Sequence, residues 1–179
     1  MFASFVQGPL VRVIPLGLIL LALQRTILVE IQIGGVIIQI MMAMAAAAGV
    51  AGGSERGAVV GFVFGVMFDL AEGTPLGSTA TAMTIAGAVG GLLALIAADP
   101  HWWLEAIFTA LGTAAGVVMI PVIRAFIGEP APFQGELGIV VLVTAVAAAV
   151  LSPVLVPLGR WCLRMRRPEW KQPIDEPAQ

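Results

Sequence analysis

Four stretches of this chain carry no charged side chain: Ile31–Ser54, Gly73–Ala98, Ala106–Ile123 and Leu137–Gly159. A helix needs about 20 mostly apolar residues to cross roughly 30 Å of hydrocarbon, so each stretch is close to one crossing. Two weaker segments bring the expected number to six: Pro9–Leu28, with Arg12 and Arg25 near its ends, and Gly57–Leu70, short enough to be re-entrant. Only 11 % of the 179 residues are charged and 59 % are hydrophobic, whereas a soluble domain carries roughly a quarter charged residues. The expected fold class is an all-α integral membrane protein, a compact bundle of six transmembrane helices. That bundle occupies residues 1–159, and a basic tail over 160–179 follows it.

Charge placement orients this arrangement. An even number of crossings puts both termini on one side, together with Arg12, Arg56, Arg160, Arg164, Arg166, Arg167 and Lys171. Arg25 and Arg124 fall on the other side. Cytoplasmic flanks are the basic ones, so both termini are expected in the cytoplasm, with multi-pass insertion in a cell membrane. The opening stretch reads as the first membrane segment rather than a cleavable leader, because no basic region precedes its apolar run. At the junctions, Ser54, Thr74-Pro75 and Asp99-Pro100 are the expected helix starts, and Trp102 and Trp103 are placed as interfacial aromatics. Glu129–Phe133 reads as an extended loop, and Pro121, Pro153 and Pro157 as kinks inside helices.

Gly57, Gly61 and Gly65 stand four residues apart, and Asp69 occupies the next step of that register. In lipid, helices associate through close packing of small residues, so this face suits backbone-to-backbone approach. Gly87 with Gly91 and Gly112 with Gly116 repeat the spacing. The register serves either packing inside the bundle, the commoner use, or a surface for another protein. Asp69 is harder to place: a carboxylate in a membrane segment costs about 2.5–3.5 kcal/mol at mid-membrane, and the C-terminal end of its own helix repels it. Its expected partners are Arg25, Arg124 or the amides of the Gly73–Gly77 turn. Glu72 reads as a solvated acid.

Gly57, Gly61, Gly65 and Asp69, followed by Pro75-Leu76-Gly77, resemble the signature region of the rod shape-determining protein MreD family, chiefly over residues 53–95. The resemblance implies a small bacterial inner-membrane protein, not an enzyme, that acts as a scaffold of cell elongation and peptidoglycan synthesis. It also implies partners: a bitopic MreC-like protein, and beside it MreB, RodA and a class B penicillin-binding protein. The tail residues Arg160, Arg164, Arg166, Arg167 and Lys171 suit anionic lipid, although a stop-transfer flank needs no further role.

The alternative is the substrate-binding membrane subunit of an energy-coupling-factor vitamin transporter, also a six-helix protein of this size. It needs a polar, aromatic-lined pocket, and here the candidate groups Gln32, Gln39, Thr81, Thr84 and Thr113 are sparse and tyrosine is absent. Intramembrane catalysis needs a Ser-His pair, an Asp pair or a metal cluster. The lone histidine, His101, sits in an interfacial junction, and no metal-ligand set or cofactor motif stands in the sequence. The single Cys162 excludes an internal disulfide and reads as a small hydrophobe. A net charge of −2 gives no attraction to nucleic acid.

Overall fold

A computed structural model describes residues 10–28, 32–33, 36–97, 100–128 and 137–163. Its elements are α1 (Leu10–Leu23), a π-helical turn (Gln24–Leu28), two short strands β1 (Gln32–Ile33) and β2 (Val36–Ile37), α2 (Ile40–Gly52), α3 (Ser54–Glu72), α4 (Ser78–Gly90), the single turn α5 (Leu93–Ile96), α6 (Trp102–Ile127) and α7 (Leu137–Leu163). Among the described residues three helical stretches are long and apolar enough to cross a membrane: Ser78–Ile96, Trp102–Ile127 and Leu137–Leu163. The protein is thus helical and built for a bilayer.

Several boundaries differ from those expected. The stretch Ile31–Ser54 is not one continuous helix. Gln32 pairs with Ile37 and Ile33 with Val36 in an antiparallel ladder, and only Ile40–Gly52 is helical. β-branched residues on both sides of Gly34-Gly35 favour that hairpin over a helix. Ser54 is the first residue of α3 rather than its cap. The cap position belongs to Gly53, whose φ of 86° suits glycine. Likewise α4 begins at Ser78, not at Thr74-Pro75. α6 starts at Trp102 and runs to Ile127, and α7 continues past Gly159 to Leu163, so Arg160 is helical and not part of a tail. Asp99, Glu129–Phe133, Arg164, Arg166, Arg167 and Lys171 lie outside the described residues. Pro121, Pro153 and Pro157 are each inside a helix, as expected.

The centre of the bundle is α2. Its residues from Ile40 to Val50 are all buried, and α3, α4, α6 and α7 all pack on it. A helix that is apolar on every side has no surface to offer water, and its place is the interior. Alanines at 43 and 45–48 let the neighbours come close, while Met41, Met42 and Met44 fill the gaps between them.

Around that post the glycine register is consumed internally. A methyl added at Gly61 would fall on the Met83 carbonyl, at Gly65 on the Ala80 Cα, and at Gly57 on the Gly49 Cα and the Gly87 carbonyl. α2, α3 and α4 therefore meet backbone to backbone at Gly49, Gly57 and Gly87. Gly112 extends the seam to α6, against the Ala86 carbonyl. The open alternative is decided here: this face packs helices inside the protein. Because the obstacles are backbone atoms, no rotamer change relieves a clash. Gly61→Val is expected to lower the melting temperature of purified protein by several degrees or abolish folding, since overpacking costs about 1–3 kcal/mol even where side chains can adjust. Gly138→Ala, with nothing within 4 Å of the new methyl, is the neutral control in the same fluorescence-detected melt.

Candidate functional site

The corner between α3 and α4 contains every remaining residue of the glycine–acid–turn motif. Asp69 is 1 % exposed near the C-terminal end of α3. Its Oδ1 accepts from the Thr74 hydroxyl at 2.8 Å and the Thr79 amide at 3.1 Å. Its Oδ2 accepts from the Gly77 amide at 2.8 Å and the Ala80 amide at 3.3 Å. The Ser78 hydroxyl adds a longer contact at 3.5 Å.

The arrangement is an N-cap delivered from the preceding helix. The cap position of α4 is Gly77, which has no side chain to offer the free amides of the first turn. Asp69 supplies the acceptor in its place and meets Thr79 and Ala80, the donors that an N-cap aspartate would bond in its own helix. The positive end of the α4 dipole then offsets the unfavourable end of α3. Gly77 has φ of 98°, a left-handed conformation available to glycine, and this turns its amide to the carboxylate. Gly73 closes α3 by donating to the Asp69 carbonyl at 3.0 Å. Pro75 and Leu76 span the exposed tip, with the Pro75 carbonyl accepting from the Ser78 amide.

Of the expected partners for Asp69, one amide of the Gly73–Gly77 turn, that of Gly77, holds it together with two amides of the first turn of α4, and the arginines do not. Arg25 reaches the neighbouring acid instead: its Nε donates to Glu72 Oε1 at 2.8 Å, and its Nη2 donates to the Ala71 carbonyl at 3.1 Å. The tie between the first helix and α3 exists, but it runs through Glu72, which is therefore not merely solvated. With half of the Arg25 side chain exposed, such a pair contributes about 0–1 kcal/mol. Arg124 stands in the last turn of α6.

At the opposite end of the bundle is a pair that the sequence reading missed. Glu105, in the first turn of α6, and Arg160, in the last turn of α7, form a largely buried ion pair with side chains 11 % and 19 % exposed. Each lies where its own helix dipole favours its charge. The signal was available in the sequence: Glu105 immediately precedes an uncharged run, and Arg160 immediately follows another. On the same face of α6, the Thr109 and Thr113 hydroxyls donate to the carbonyls of Glu105 and Thr109, one turn back.

Chemically, both polar clusters hold helices together. Among the described residues no buried side-chain nitrogen or oxygen lacks a hydrogen-bond partner. None of their acidic, histidine or cysteine side chains gather in a metal-binding group either. Searches against family models, curated proteins and solved structures return no match to this chain.

Two substitutions measure these clusters. Asp69→Asn turns an acceptor facing several donors into a group that is half donor. A loss of about 2–3 kcal/mol, comparable to one charge-assisted hydrogen bond, is expected in denaturation of the purified protein. Glu105→Gln leaves Arg160 as a buried cation without its counter-charge and is expected to lose about 3–5 kcal/mol. The double variant Glu105→Gln/Arg160→Met should regain most of that loss in the same assay.

Proposed function

We propose that this chain is a non-catalytic membrane scaffold of the MreD type, crossing a bacterial inner membrane six times with both termini in the cytoplasm. The observation that carries the reading is the Asp69 corner. The residues shared with the family signature form one contiguous unit, in which the glycines set α3 against α4, Asp69 caps α4, and Gly77 supplies the turn the cap requires. A rigid, internally satisfied helix pair suits a part that others assemble upon.

Six crossings assign α1 with its π-turn, α2, α3, α4 with α5, α6 and α7 to one pass each. Thirteen residues make α2 only about 20 Å long at 1.5 Å per residue, short of the hydrocarbon thickness. Neighbouring helices enclose it, so its ends need not reach lipid. Arg12 contacts Trp161 beside Arg160, and Arg56 lies near Gly52 and Leu163. These basic residues share one end, with Arg25 at the other, and the basic end is the cytoplasmic one under the charge rule. On this reading an MreC-like bitopic protein is the direct partner. MreB, RodA and a class B penicillin-binding protein belong to the same assembly.

The transporter-subunit alternative loses support from its own candidate residues. The hydroxyls of Thr81, Thr84 and Thr113 all donate to carbonyls of their own helices or turn, so those three donors are already engaged. Co-expression with the MreC-like protein encoded in the same genome, followed by detergent pull-down, is expected to recover a stable complex. Titration of tryptophan fluorescence with water-soluble vitamins should stay flat. Recovery of the chain alone together with a saturable fluorescence change would reverse the assignment.

A further inference from the structure

Arg12 lies in the first turn of α1, partly buried, at the end of the bundle that holds Arg160. Its guanidinium stacks over the Trp161 indole, 5.1 Å from the ring centroid, and one N–H donates to the Trp161 carbonyl at 3.2 Å. Among the described residues no carboxylate forms an ion pair with it; Glu105 is engaged with Arg160 and Glu72 with Arg25. The Trp161 ring is 58 % exposed at the end of the longest apolar helix, and its indole N–H finds no acceptor among the described residues. A guanidinium retains several donors after one bond, so donors from two helices are left over beside each other near the C-terminal end of α7.

We propose that Arg12 and Trp161 form a binding site for the phosphate of an anionic phospholipid headgroup. Guanidinium groups favour phosphate through paired, charge-assisted hydrogen bonds, and tryptophan settles at headgroup level with its N–H toward polar groups. The stacked indole holds the guanidinium in place before the ligand arrives, which reduces the ordering penalty of binding. A lipid rather than free phosphate is the ligand, because exposed apolar residues lead away from the site toward mid-bundle along both helices. These are Ile19 on α1 and Val154 on α7, each two turns from the contact and on the same helix face, and they offer acyl chains a surface continuous with the phosphate contact. The site requires only that the bundle sits in a bilayer, and it stands independently of the scaffold reading.

Native mass spectrometry of the detergent-solubilised protein tests this, with phosphatidylglycerol and phosphatidylcholine of matched chains added in competition. The wild type is expected to retain phosphatidylglycerol preferentially. Arg12→Gln is expected to reduce that preference about fivefold, the factor for one basic residue at a charged surface. A triple Arg164→Gln/Arg166→Gln/Arg167→Gln variant should keep it. Melting curves separate binding from folding: Arg12→Gln should lose the added stability conferred by phosphatidylglycerol while keeping its melting temperature in phosphatidylcholine. If Arg12→Gln does not fold, Trp161→Leu provides the same comparison. Unchanged preference in the Arg12 or Trp161 variant, or its loss in the triple variant, overturns the site. Full stabilisation by inorganic phosphate with no preference for phosphatidylglycerol overturns the lipid assignment.

Discussion

The absence of a hydrophobic drive between helices in lipid is the constraint that shapes this protein. Inside a bilayer a leucine gains little by leaving acyl chains for another leucine, so contact has to come from close approach of backbones and from dispersion across a well-fitted surface. The chain meets that condition where α2, α3 and α4 converge on Gly49, Gly57 and Gly87. Each of the three helices lacks a side chain at the same place. The alanines of α2 carry the arrangement outward to α6 and α7, so the seam and the enclosed helix are two aspects of one packing solution.

Polar groups in this interior follow a second rule, that each is answered by a group from another element or by its own helix. Asp69 answers the first turn of α4, and Glu105 answers Arg160. Near the start of α2, the Met41 amide donates to Gln24 Oε1 at 3.2 Å, a side chain from the π-helical turn. The three contacts join consecutive or sequence-distant elements at opposite ends of the bundle, and hydroxyls nearer its middle, such as those of Thr113 and Thr144, bond to carbonyls of their own helices. Low polarity strengthens each contact and raises the penalty for breaking one side of it.

The glycine spacing was legible from the sequence, because four-residue steps fall on one helix face whatever surrounds it. Asp69 was legible as a problem that required compensation, and one of its proposed solutions is the one adopted. What escaped was set by boundaries. Taking segments as uncharged runs opened the fifth at Ala106, just after Glu105, and closed the sixth at Gly159, just before Arg160, so neither member of the interhelical pair was counted within a run. Thr74-Pro75 has the pattern of a helix start. Yet the left-handed glycine at 77 moves the start three residues on and frees Thr74 to donate to the carboxylate. The hairpin before α2 was hidden because isoleucine and valine serve an apolar helix and a strand equally well, and only the Gly-Gly pair between them separates the two.

The enclosure of α2 has a consequence for how the molecule is made. An element walled in by helices that precede and follow it in the chain has no native surroundings when it leaves the ribosome. The helix that closes its last side, α7, leaves the ribosome after every other described helix. Until then α2 faces acyl chains with alanine and glycine on its surface, a poor fit that its partner α3 can shield on one side only. The packing around α2 is therefore complete only once α7 is in place, and a nascent chain that stalls before α7 exposes its innermost helix rather than its outermost.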